Sequence, residues 1–187
     1  MAILVAGLVL FLGVHLVPAF PARREALLAR WGRPRYRLAF SAVAGVGLVL
    51  IVAGFARAPR TPLFAPFPAA IAAAPFVMAA SMILFAAANL EGRLRRALRH
   101  PMLIGTILGS GVHLVANGDL AGTVLFGAFL AWAIVDLVSA SARGATRAFA
   151  PRASHDAIAV AGGLAVFAAV AVLHGVLFGP RVVPFGW

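Results

Sequence analysis

The stretch PMLIGTILGSGVHLVANGDLAGTVLFGAFLAWAIVDLVS, Pro101–Ser139, decides what class of protein this chain forms. Two apolar runs, Pro101–Ala116 and Leu120–Ser139, meet at Asn117-Gly118-Asp119, and Asp119 and Asp136 are the only charged residues in it. Crossing about 30 Å of hydrocarbon takes roughly 20 apolar residues at about 1.5 Å each, so the pair reads as a tight hairpin of two membrane helices, the first of them short. Asn-Gly-Asp supplies the turn, and Asp119 is placed to cap the second helix.

The same pattern continues in both directions through Ala2–Phe20, Leu38–Ala56, Pro68–Leu90 and Ala157–Gly179. The expected fold is therefore an all-α polytopic membrane helix bundle of six transmembrane helices, in a length with room for five to seven. Composition agrees: of 187 residues 63% are hydrophobic and 11% charged, and mean hydropathy is +1.02. A soluble domain is about half apolar and a quarter charged. No length is left for a second domain, so residues 1–187 are expected to form one transmembrane domain. The first run lacks a basic leader, and Val17-Pro18-Ala19-Phe20-Pro21 makes a poor cleavage site, so that run is expected to be a retained helix.

A net charge of +11, all of its cations arginine, would suit a nucleic-acid ligand on a soluble face. Here the arginines fall between apolar runs, which excludes nucleic acid as a partner and makes them topology signals. Arg23, Arg24, Arg30, Arg33, Arg35 and Arg37, then Arg93, Arg95, Arg96 and Arg99, then Arg143, Arg147 and Arg152 occupy the first, third and fifth gaps. The opposite side holds Arg57, Arg60 and Arg181. This bias places the first, third and fifth gaps in the cytoplasm and both termini on the non-cytoplasmic side of a bacterial inner membrane. In the first gap, Ala22–Trp31 is amphipathic and suited to lie on an anionic leaflet; a charged loop with a short helix would read the same way.

There is no cysteine, which excludes disulfides, thiolate ligands, a nucleophilic thiol and covalently attached haem. Asp136 is the sole carboxylate well inside a span, so a carboxylate proton relay is excluded too. Histidine is the richer resource. His15, His113 and His174 lie within spans, while His100 and His155 sit at the cytoplasmic ends of the fourth and sixth. Neutral imidazole ligates iron, copper and zinc, and paired histidines on facing helices hold b-type haem. Gly105, Gly109 and His113 recur every four residues and line one helix face, where two missing side chains would leave a flat trough for a porphyrin edge. The same spacing equally describes a small-residue helix contact with His113 bonded to a neighbour. His15 shares a face with Leu8 and Phe11 just before Pro18; His174 could reach interfacial water, and His155 is expected to be solvated at a helix start. Asp136 lies at a depth similar to Arg99-His100, where a contact would either orient the imidazole or form a plain interfacial salt bridge.

Phe11–Pro21 (FLGVHLVPAFP), Arg99–Gly105 (RHPMLIG) and His113–Asp119 (HLVANGD) closely resemble the NnrU family, and the resemblance extends over essentially the whole chain. That family is named from an association with bacterial nitrite and nitric oxide reduction, and is homologous to the 15-cis-zeta-carotene isomerase of plants and cyanobacteria. The isomerase binds haem b through histidines of its membrane helices. By position, the resemblance implies His15 and His113 as ligands of a non-covalent haem b, with His100 as the main substitute and His174 still a candidate on depth. It further implies a lipophilic, carotenoid-like substrate undergoing cis–trans isomerisation, or haem redox chemistry with a respiratory membrane partner. The Arg99-His100-Pro101…Gly105 segment also looks like the cofactor region of membrane S-adenosylmethionine-dependent methyltransferases of the isoprenylcysteine and phospholipid type. Those place acidic residues after the following helix, where this chain offers only Asp136.

Overall fold

The computed structural model describes residues 1–178, so Gly179 and Arg181 of the sequence reading lie outside the described residues. The elements are α1 (Ala2–Leu16), a 3₁₀ turn (Val17–Ala19), α2 (Pro21–Arg57), α3 (Pro68–Ala87), α4 (Arg93–Leu98), α5 (Pro101–Asn117), α6 (Leu120–Ala142) and α7 (Ala153–Phe178). Among the described residues the only strand-like pairing is a single bridge between Pro62 and Asp119. Five helices are long and apolar enough to cross a membrane, and α5, at 17 residues, is the short apolar one. At about 1.5 Å per residue α5 spans roughly 26 Å, the lower limit for a crossing. The architecture is that of a polytopic membrane helix bundle.

One boundary differs from the sequence reading. The second helix begins at Pro21, not near Leu38, because the amphipathic Ala22–Trp31 stretch is itself helical and runs on into the span. Its 37 residues are too many for one straight crossing, and the helix is broken at Gly32 (φ 73°, ψ 159°), a conformation open to glycine alone. Pro34 reinforces the break by disfavouring helical geometry at Arg33.

Contacts group the chain into two units, each discontinuous in sequence: residues 1–65 with 117–144, and 66–116 with 145 onward. In the first unit α1 lies against α2, and Leu4, Leu8, Leu12 and Ile51 form its buried core, with Leu125, Phe129 and Trp132 of α6 packed on it. Backbones approach closely along this seam. A Cβ at Gly7 would stand 2.6 Å from the Ile51 amide nitrogen, and one at Gly47 2.7 Å from that of Phe11. With no hydrophobic effect to drive association in lipid, such contact through small residues is what holds membrane helices together. In the same unit Asp119 caps α6 by accepting from the Gly122 amide (2.9 Å), and the Leu63 amide donates to the Gly118 carbonyl (2.8 Å). In the second unit α3 packs along α7, with Gly163 pressed on Ile83, and the short α4 rests on the start of α7.

Candidate functional site

In the first unit, Pro18 ends α1: the helix stops at Leu16 and the chain turns through Val17–Ala19. His15 thus sits in the last turn of α1. Its Nδ1 lies 2.6 Å from the Phe11 carbonyl oxygen. A carbonyl only accepts, so Nδ1 carries the proton and the lone pair is on Nε2. The imidazole is surrounded by three aromatic rings. Phe11 lies 4.3 Å from it centroid to centroid, Phe40 of α2 meets it edge-on at 5.0 Å, and Trp132 of α6 does so at 5.9 Å. Trp132 Nε1 is buried without a hydrogen-bond partner, an unmet donor in this cage. Ser139 of α6 and Arg143, the residue that follows the helix, both donate to the Ala19 carbonyl, at 3.4 and 3.0 Å, fixing the turn just beyond the histidine.

In the second unit, the Gly105 and Gly109 face is closed by α3. Ser81, fully buried, donates through Oγ to the Gly105 carbonyl at 2.7 Å. A Cβ at Gly105 would lie 3.1 Å from the Ser81 carbonyl, and one at Gly109 3.0 Å from Ser81 Oγ and 3.5 Å from Met78 Sδ. The expected open trough is therefore filled by a serine and a methionine, and the small-residue contact is the arrangement found. His113, half-buried, stands on the next turn of the same helix.

His100 ends a strained connection. Its amide reaches the Leu98 carbonyl at 2.6 Å across Arg99, whose φ of 60° and ψ of −50° describe a γ-turn that side-chain-bearing residues rarely adopt. The His100 Nε2 is buried with no hydrogen-bond partner. Arg99, His100 and Pro101 line a cleft of about 690 Å³ with Arg95, Arg96 and Arg147.

His155 is not the solvated residue the sequence suggested. It is half-buried and accepts from the Glu91 amide through Nδ1 at 3.1 Å. Beside it Asp156 accepts from the Arg93 and Leu94 amides at 2.9 and 3.0 Å, so the start of α7 supplies the cap of α4. Sequence reasoning missed this clamp because its partners are more than sixty residues apart; the one local signal was a His-Asp pair at a helix start. Asp136 makes no ion pair among the described residues, and His174 lies half-buried near the end of α7. No cluster of three or more potential metal-ligating side chains occurs among the described residues; haem needs only one or two histidines.

His15 and the Arg-His-Pro turn before α5 lie in the segments that carry the family resemblance, and residues 3–182 match the NnrU protein family model. The chain belongs to the NnrU family. No curated protein and no solved structure matches it. Within this NnrU protein, His15 fits the requirement for an iron ligand, namely a fixed tautomer, a free Nε2 lone pair and an apolar, ring-lined surround. The orphaned His100 Nε2 fits a ligand or an acceptor in want of a donor. Gly105 and Gly109 do not fit a porphyrin edge, since Ser81 stands where it would lie.

Proposed function

We propose that this NnrU-family protein is a haem-b membrane protein of the bacterial inner membrane, with His15 as an axial ligand and a lipophilic polyene as substrate. The observation that supports it is the state of the His15 ring, held by Phe11 and caged by Phe11, Phe40 and Trp132. The family resemblance alone supports His113 as second ligand, with His100 as its substitute. Bound haem would supply a Lewis-acid or one-electron centre able to weaken a double bond for cis–trans isomerisation. The rest is the work of the chain. The Phe11 carbonyl keeps the proton on Nδ1 and makes Nε2 the better donor to a metal. The three rings keep water from the imidazole, and the Trp132 indole offers an N–H to an acceptor brought into the cage. The apolar, outward-facing sides of the helices leave a route through the bilayer for a greasy substrate.

Methyl transfer is disfavoured by the cleft at Arg99-His100-Pro101. No carboxylate lines it, so the ammonium and ribose of S-adenosylmethionine would find no acidic partner there.

The deciding measurement is the absorption spectrum of detergent-purified protein from cells fed a haem precursor. A Soret band that sharpens and shifts on dithionite reduction is expected, with haem extractable by acid acetone because no cysteine can tether it. His15→Ala should lose or shift the band, whereas His155→Ala, which disturbs only the α4 clamp, should keep it. A colourless preparation removes the proposal. Co-purification of a respiratory reductase would instead favour haem redox chemistry in nitrogen-oxide respiration. The proposed orientation is read by reporter fusions: those after Arg30, Arg95 and Arg147 should report cytoplasm, and those at Arg60 and Asp119 the opposite side.

A further inference from the structure

The second unit carries a feature whose arginines the haem proposal does not use, the cleft formed where α4 ends, α5 begins and the chain approaches α7. Arg95, Arg96, Arg99 and Arg147 line it together with His100, and no carboxylate does. Among the described residues none of these arginines is in an ion pair. Asp156 of the same unit lies outside the cleft lining and accepts from the Arg93 and Leu94 amides instead. Four like charges held in one concavity repel, and the arrangement is unfavourable until an anion joins it.

Three further observations show that the cleft is organised. Arg95 is held over the Phe149 ring, 5.4 Å from guanidinium carbon to centroid, which ties the α4 wall to the 145–151 wall. Arg99 occupies the positive-φ γ-turn, a strained conformation of the kind that persists where surrounding structure imposes it and that gathers at ligand clamps. That turn leaves His100 Nε2 buried and unpartnered at the cleft. The cleft also opens on the first turn of α5, through Pro101, Met102 and Leu103, where amides without intrahelical acceptors and the positive end of the helix dipole favour an anion.

We propose that this cleft binds a phosphate group, presented by the headgroup of an anionic lipid. Guanidinium matches phosphate oxygens in paired hydrogen bonds, which a carboxylate-free ring of arginines can supply from several directions. Met102 and Leu103 give the cleft an apolar side on which the glycerol and first methylenes of a lipid can lie. A free phosphate would use the same guanidinium groups but not that apolar side.

The test is native mass spectrometry of the detergent-purified full-length protein. It is titrated separately with dioleoyl phosphatidic acid, with dioleoyl phosphatidylcholine and with inorganic phosphate, and inorganic phosphate is also used as competitor. Phosphatidic acid should bind about tenfold tighter than phosphatidylcholine, and millimolar phosphate should displace it. Arg96→Gln with Arg147→Gln, both exposed and outside the strained turn, should weaken phosphatidic acid binding by about thirtyfold, whereas Arg24→Gln with Arg30→Gln should change it by less than about twofold. Binding of inorganic phosphate with none of phosphatidic acid would keep the phosphate site and assign it to a free anion. Equal affinity of the wild-type protein for the two lipids with no phosphate binding would overturn the proposal without any variant. So would an equal loss in the Arg24/Arg30 control, which would mean that net charge alone draws the lipid.

Discussion

Two helix pairs in this protein look alike on paper, each carrying glycines in register with a histidine, and they are built differently. On α1 and α2, Gly7 and Gly47 bring backbone against backbone, and one of the contacts is the Phe11 amide. On α5 and α3, Gly105 and Gly109 receive one buried serine, whose hydroxyl bonds to the Gly105 carbonyl. The first seam has no side chain that can move aside, and Phe11, a residue of that seam, is also the one that sets the His15 tautomer. The second can adjust at Gly109 by rotating Ser81 or Met78, while Gly105 faces the Ser81 backbone carbonyl. Glycine spacing therefore marks close packing in both places, and the organised imidazole belongs to the pair whose histidine carries the less suggestive motif.

The sharpest way to break this contrast is Gly47→Leu. Its side chain must displace the Phe11 backbone, so a loss of about 3 kcal/mol is expected in reversible unfolding in detergent, together with loss of any His15-dependent pigment. Gly109→Leu should cost less, about 2 kcal/mol, because Ser81 and Met78 can shift, and it should leave the Soret band in place. A Gly109→Leu protein that unfolds like wild type yet loses its pigment would restore the porphyrin trough on α5. Ser81→Ala removes one interhelical hydrogen bond, whose worth in a membrane is about 0.6 kcal/mol and at most roughly 1.7, so its midpoint should fall slightly. Gly111→Ala provides the smallest effect and the control. A Cβ there meets nothing within 4 Å, so the only change is helix propensity, and stability should rise by up to about 1 kcal/mol.

The clamp between α4 and α7 extends the same lesson to polar residues. His155 looks solvated in sequence because it follows Arg152-Ala153-Ser154 at a helix start, yet it and the adjacent Asp156 satisfy the Glu91, Arg93 and Leu94 amides. Asp119 was legible in advance as the cap of α6 because capping is local, set by the three residues that follow it.

The helical class, the apolar runs, the Asn-Gly-Asp turn and the Asp119 cap were determined by the sequence alone. Each depends on how a short segment is solvated or bonds to itself, and composition and spacing carry that information. The tertiary structure alone decided that Ser81 fills the Gly105 and Gly109 face, that Phe40 and Trp132 gather around His15, and that four arginines converge beside His100. These meetings depend on how far each helix is rotated and shifted against its neighbour. In lipid, where every outward face is equally apolar, that is set by close packing between residues far apart in the chain.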